Sequence, residues 1–240
     1  GNAPVHVFKI PVLPYLDDPM VGIMINDGHA NVTITPDARF SQLHYAFGNN
    51  TEQIINFIDY EGPFRVDGPE MLNVKATMKG RQSSRIVTVP IELLSDGNGL
   101  SKKTYLGQWE NCDQMVKGSP VDESISIDLS IDEGRENDFG HSFFGYLQID
   151  EKGTYEFQTI SDDGSRLSID GFPIVDNDGL HGREMVKGEI PLETGLHRIK
   201  VDYFERGGQQ SLDVKWKGPG FGWRSIPSFK LFRTNDHGKK

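Results

Sequence analysis

Asp162 and Asp163 stand side by side ahead of Gly164 and Ser165, and a second acidic segment, Asp176-Asn177-Asp178-Gly179, follows shortly after. Calcium is a hard cation that takes about six to eight oxygen ligands. Adjacent carboxylates aimed one way supply two of them, and the second segment can add more. Asp162, Asp163, Asp176 and Asp178 are therefore the candidate metal ligands. The same residues have a plainer reading. Asp-Asp-Gly-Ser between two strands is good turn chemistry, with carboxylates accepting local backbone N–H groups. Both readings stay open. An EF-hand is excluded: with Gly179 at the sixth loop position, Ile174 and Met185 fall where the first and last ligands belong.

Three other places could do chemistry. His181, in Leu180-His181-Gly182, can bond a sugar hydroxyl or cap backbone. The segment Gly218-Pro219-Gly220-Phe221-Gly222-Trp223-Arg224 sets two aromatics in a Gly-rich stretch, where exposed rings stack on sugars and buried ones close a sandwich end. Asp162, Asp163, Asn177, His181 and Trp223 are the candidate carbohydrate-binding residues. Trp216 falls on the apolar side of its strand and is expected in the core. Cys112 would need a positioned His to act as a nucleophile and reads as a buried or incidental thiol.

Catalysis finds no support. Acid–base hydrolysis needs two carboxyls about 5–9 Å apart across a cleft. Asp17/Asp18, Asp162/Asp163 and Glu133/Glu136 are close in sequence only, and with 35 Asp+Glu in 240 residues such neighbours arise by chance. There is no Gly-x-Ser-x-Gly elbow, His-Glu-x-x-His helix, phosphate loop or dinucleotide fingerprint. No enzyme is expected within these residues.

The elements that must hold these groups are strands. In 71–79 Leu72, Val74, Ala76 and Met78 alternate with Asn73, Lys75, Thr77 and Lys79. Phe143, Leu147 and Ile149 share one side of 143–149, with Gly145 between them. Ile199, Val201 and Tyr203 alternate with Arg198, Lys200 and Asp202, and Leu212, Val214 and Trp216 with Asp213, Lys215 and Lys217. That period marks strands with one buried and one wet face. Turn pairs punctuate them: Asp27-Gly28, Asn49-Asn50, Asp67-Gly68, Lys152-Gly153, Asp163-Gly164, Asp170-Gly171, Asp178-Gly179 and Gly207-Gly208. They carry eight of the 27 Gly. Glu52–Ile58 is the best helical pattern. The fold class is all-β: an immunoglobulin-like sandwich followed by a larger antiparallel β-sandwich. The expected divisions are an extended segment over 1–24, an immunoglobulin-like module over 25–95, the larger sandwich over 101–233 and a flexible tail over 234–240.

Charge narrows the partners. With 25 Lys+Arg against the acidic surplus, the net charge is −10. That disfavours nucleic acid, which needs a basic face to displace counterions, and an anionic membrane surface. It suits a neutral glycan and would repel sulfated or uronic polymers unless calcium bridges them. No apolar run is long enough for a transmembrane segment. A single cysteine excludes a disulfide framework and a Cys-rich zinc site. A chain opening Gly1-Asn2-Ala3-Pro4 reads as processed or trimmed.

Residues 101–233 resemble the protective-antigen (PA-14) domain. The resemblance is carried by Arg135-Glu136-Asn137-Asp138-Phe139-Gly140, Gly153-Thr154-Tyr155-Glu156-Phe157, Ser161-Asp162-Asp163-Gly164-Ser165-Arg166-Leu167, Val175-Asp176-Asn177-Asp178-Gly179, Gly195-Leu196-His197-Arg198 and Leu212-Asp213-Val214-Lys215-Trp216. It implies a β-sandwich that stands beside catalytic domains in secreted glycosidases or serves in adhesins. In the adhesin branch, two adjacent aspartates joined by a cis peptide hold calcium that bridges to sugar hydroxyls. The preceding block resembles the small module at the C-terminus of chitobiases and β-hexosaminidases, through Val32-Thr33-Ile34-Thr35, Leu43-His44-Tyr45-Ala46, Tyr60-Glu61-Gly62-Pro63-Phe64 and Leu72-Asn73-Val74-Lys75-Ala76. Where that family has Thr-Asp-Gly, this chain has Phe47-Gly48-Asn49-Asn50. Together the blocks resemble the accessory region of a family-20 glycoside hydrolase. The resemblance implies a non-catalytic glycan-binding or accessory region that is secreted, periplasmic or on a bacterial cell surface, with a glycan or a catalytic domain as partner and calcium as the one cofactor in view. A purely structural spacer, and the C-terminal part of a hydrolase whose catalytic domain lies outside this chain, are the alternatives.

Overall fold

The computed structural model describes residues 14–26, 29–39, 41–48, 56–131 and 137–234. The expected turns at Asp27-Gly28 and Asn49-Asn50, the pair Glu133/Glu136, and residues 1–13 and 235–240 lie outside the described residues. So do residues 52–55 of the helical pattern, whose last residue, Ile58, opens the strand Ile58–Asp59. Two compact units divide the chain, Gly1–Ile91 and Glu92–Lys240.

In the first unit, β1 (Met20–Asn26), β2 (His29–Thr35) and β5 (Phe64–Val66) form a sheet in the order β1-β2-β5. β3 (Gln42–Phe47), β4 (Ile58–Asp59), β6 (Glu70–Thr77) and β7 (Val87–Ile91) form another in the order β4-β3-β6-β7. Every pairing between these strands is antiparallel, and an isolated parallel bridge joins Tyr15 to Gln82. Alternation on β2 buries Ala30, Val32 and Ile34. On β6 it is broken, because Met71 and Asn73 are buried together with Leu72 and Val74. Asn73 was expected on the wet face. Its amide nitrogen donates to the Gly48 carbonyl (2.9 Å) and its amide oxygen accepts from the Thr88 hydroxyl (2.7 Å), which makes its burial tolerable.

The second unit is two larger sheets. One takes β8 (Leu100–Leu106), β9 (Asp122–Ser126), β10 (Phe139–Ile149), β12 (Ser165–Ile169), β13 (Phe172–Asn177) and β15 (Gly195–Glu205), in the order β13-β12-β15-β10-β8-β9. The other takes β11 (Gly153–Asp162), β14 (Glu184–Leu192), β16 (Ser211–Gly218) and β17 (Phe221–Ser225), in the order β14-β11-β16-β17. A short β18 (Leu231–Phe232) pairs with β10 and completes seven strands in the first of these sheets. Phe143, Leu147, Leu167 and Val201 from one sheet meet Phe157 and Trp216 from the other in a single buried cluster. Burial on this scale is the main favourable term in the fold. The only α-helix among the described residues, α1 (Cys112–Val116), is capped by Asn111, whose side chain accepts from the Gln114 N–H. It buries Cys112 and Met115 against Tyr105 and Phe204. No helix among the described residues is long and apolar enough to cross a membrane.

The two sheets of this unit approach backbone to backbone along β13 and β14. A Cβ built on Gly188 would lie well inside van der Waals contact of the Ile174 carbonyl, so a side chain there must force main chain apart. Gly188→Ala is expected to cost about 1–3 kcal/mol or more through overpacking, read as a lower urea midpoint with an unchanged slope.

Candidate functional site

The chain leaves the four-stranded sheet at Asp162 and enters the seven-stranded sheet at Ser165, so the Asp162-Asp163-Gly164 turn bridges the two. The Asp162–Asp163 peptide bond is cis. Gly164 lets the turn lie against its neighbours: a Cβ there would overlap the Phe204 ring and stand 2.9 Å from both N and O of Gly179. The Gly164 carbonyl accepts the Phe204 N–H (3.0 Å).

Asp163 is only 6% exposed. One of its carboxylate oxygens accepts the His181 N–H and the other the Arg206 N–H, each at 3.0 Å. The Asp162 carbonyl accepts the Tyr203 hydroxyl (2.8 Å). Beneath them lies Glu205, fully buried. Its Oε2 is 3.4 Å from the Tyr203 oxygen, and its Oε1 is buried without a hydrogen-bond partner. Asp162, Asp163 and Glu205 each offer a carboxylate oxygen, and the three lie within 4.8 Å of one another. Like charges in a desolvated corner resist ionisation. Burial, then the Asp163 charge, pushes the Glu205 carboxyl up to about 7, and the same two causes in the same order raise Asp162.

Glu205 was not among the candidates. It continues the inward alternation of Ile199, Val201 and Tyr203, and an acidic residue at an inward position demands a partner. That was the available signal.

The remaining candidates are distributed differently from the expectation. Asp178 turns away from the three carboxylates. Its Oδ1 accepts the N–H of Cys112 (2.8 Å) and of Gly179 (3.0 Å), and its Oδ2 lies 3.8 Å from Arg166. It ties α1 to the loop after β13. Asp176 is exposed on β13, across from Arg166 in register. Neither joins the group formed by Asp162, Asp163 and Glu205. Asn177 is 4% exposed and points inward, its amide nitrogen donating to Ser161 Oγ (3.0 Å) and the Glu184 carbonyl (3.2 Å). Ser161, Ser165 and Thr159 extend that buried network.

His181 has both ring nitrogens on backbone carbonyls, Nδ1 at 2.8 Å from Gly182 O and Nε2 at 3.0 Å from Asn177 O. Burial would lower its pKa, but those two bonds favour the doubly protonated ring and the net shift is upward. Trp223 is not in a loop. It lies on the edge strand β17, half-buried, with Lys187 Nζ 5.2 Å from its ring centroid. Phe221 is buried against Trp216, the centroids 5.0 Å apart. Trp216 itself is in the core. Cys112 is buried, and desolvation, followed by the Asp178 charge, pushes its thiol far above the ordinary range, so it stays protonated. Asp18, one of the paired carboxylates, is held by Arg85 at 2.6 Å.

A family model described as the PA14 domain matches residues 96–228. The chain belongs to the PA14 domain family. The anti-sigma-I factor RsgI3 of Acetivibrio thermocellus is 28% identical over 143 residues, which is 57% of this chain and 22% of that protein. The chain thus spans about a fifth of the length of the curated relative it matches. Among solved structures, the PA14 domain of the MpAFP antifreeze protein superposes with a TM-score of 0.52 at 19% identity, covering 62% of this chain and 98% of that one. The PA14 sugar-binding domain from an RTX adhesin gives 0.50 at 17% identity, covering 57% and 99%. These likenesses establish the fold of the PA14 unit.

Within that unit Tyr203 carries the Asp162 carbonyl. Tyr203→Phe leaves this acceptor without its donor, and about 1–3 kcal/mol should be lost. Thermal melts of the purified chain read the loss as a lower Tm.

Proposed function

We propose that the PA14 unit is a non-catalytic carbohydrate-binding module in which Asp162, Asp163 and Glu205 hold a calcium ion that presents a coordination position to sugar hydroxyls. The observation that carries the reading is the convergence of three carboxylates, one with a buried oxygen that has no hydrogen-bond partner. The donor set is all oxygen, as calcium prefers, and a cation would relieve the like-charge repulsion in this corner. The sugar-binding domain of the RTX adhesin, which shares the fold, lends support to saccharide as the ligand class. The proposal extends to a secreted, periplasmic or cell-surface setting in bacteria. There the module would serve as the accessory part of a glycan-handling protein of the hexosaminidase type and bring a catalytic partner to its glycan.

A specific observation favours a second reading, the structural turn. Both carboxylate oxygens of Asp163 are already used by backbone N–H groups. The two readings separate in one set of measurements. If calcium binds, added calcium at about a hundred times its Kd raises stability by about 2.7 kcal/mol, and chelator reverses the gain. Glu205→Gln abolishes the gain, and binding of neutral glycans on an array disappears with chelator. If the turn is structural only, Tm ignores calcium and chelator alike and no neutral glycan binds in either condition, an outcome that overturns the proposal.

A further inference from the structure

The outer face of the seven-stranded sheet carries a groove unlike the acidic turn. Register places its lining. Lys200 lies opposite Phe144 on one side and Ser168 on the other, and Arg198 lies opposite Tyr146. Phe143, Leu147, Ile199 and Val201 point into the core, so alternation turns Phe144, Tyr146, Arg198 and Lys200 to the other face. β18 pairs beside Tyr146 and brings Arg233, which follows it in the chain. These residues line an open groove of about 350 Å³.

Its chemistry is cationic and aromatic. Arg198 donates to the Asp170 backbone carbonyl (3.3 Å), not to a carboxylate. Arg233 Nε is buried without a hydrogen-bond partner, a donor whose desolvation is uncompensated. Lys200 Nζ bonds Asp202 at 2.7 Å. Asp202, which also accepts from the Ser142 hydroxyl (2.7 Å), thereby balances Lys200, while Asp170 accepts from His197 (2.7 Å) and from the Arg198 N–H (2.8 Å). Phe144 is 40% exposed, and Lys103 Nζ stands 5.8 Å from its centroid. Guanidinium groups bind carboxylate or sulfate through a fork of parallel N–H bonds. An exposed aromatic face beside them suits a flat-sided ring bearing an anionic substituent.

We propose that this groove is a second saccharide site, selective for a sugar carrying a carboxylate or sulfate, with Arg198 and Arg233 holding the anionic group and Phe144 packing on the ring. It shares with the proposed function only the ligand class, saccharide, and requires neither calcium nor any residue of the Asp162-Asp163 turn. The net charge of −10 does not exclude it. Charges elsewhere on the surface are screened over about 8 Å at physiological ionic strength, whereas the groove acts at contact.

Calorimetry on the whole chain in excess chelator tests the proposal, with three hexasaccharides as probes: hyaluronan, which carries carboxylates; chondroitin sulfate, which carries sulfates as well; and chitohexaose, which is neutral. An anionic probe is expected to bind and the neutral one not, and the stronger of the two anionic probes identifies the preferred group. Arg198→Glu should weaken binding at least about tenfold, as loss of a charge-assisted fork implies. The excess chelator strips calcium from the turn, which distinguishes failure here from failure there. Arg233→Gln is the second variant. Should it fold poorly, the exposed Arg198 variant, with amide shifts at Ser168 and Lys200 on titration, still decides. Absence of binding by both anionic probes at millimolar concentration, or binding indifferent to Arg198→Glu, overturns the proposal.

Discussion

A carboxylate taken out of water must be given hydrogen bonds, and Asp163 receives them from two separate loops. Its two oxygens hold the N–H groups of His181 and Arg206. Loops are ordinarily the least ordered parts of a β-sandwich, because little apolar surface holds them. Here one buried side chain fixes the loop after β13 and the loop after β15 to the turn that joins the two sheets. Asp178 repeats the device a short distance along the chain by holding the N-terminus of α1 through the Cys112 N–H. Truncating Asp178 would leave the N–H of the fully buried Cys112 without this acceptor, and a buried donor left unpaired costs about 1–3 kcal/mol.

Much of this architecture is legible in the sequence. Period-two alternation in 143–149, 197–203 and 212–217 named inward residues that are in the core: Phe143, Leu147, Ile199, Val201, Tyr203 and Trp216. Alternation says which face a residue occupies. It does not say what covers that face. Asp202 was assigned to water and is buried, because Ser142, Lys200 and Arg166 surround its carboxylate. Phe204 occupies the opposite face from Tyr203 and is buried as well, since α1 closes over it. Period two cannot reveal a helix that packs on the wet side of a sheet.

The candidate site was half legible, for a related reason. Asp162 and Asp163 are adjacent in sequence, so their proximity could be read directly. Glu205 comes from the far end of β15, and its approach depends on a sheet order in which β12 pairs with β15. Asp176, Asn177 and Asp178 were drawn toward the same point because they are close in sequence and rich in oxygen. The pleat separates Asp176, which faces solvent, from Asn177, which faces the Ser161 network, because successive side chains on a strand point to opposite faces. Asp178 lies past the end of β13 and turns to α1. The overall charge misleads in the same way. A surplus of acids describes the average surface, while Arg198, Lys200 and Arg233 make one groove on it locally basic.

Whether Asp163 braces the fold or serves a ligand is not a strict alternative. An ionised carboxylate oxygen has two lone pairs, so each oxygen of Asp163 can keep its backbone N–H and still face a cation. The N–H bonds would then orient the carboxylate in advance, much as outer hydrogen bonds orient metal ligands elsewhere. Glu205 is the group for which the choice matters. Its Oε1 has no hydrogen-bond partner, and burial with the neighbouring Asp163 charge lifts its carboxyl to about 7. The Gly207 N–H and the Tyr203 hydroxyl pull the other way, and a proton or a nearby cation would offset the cost that they leave.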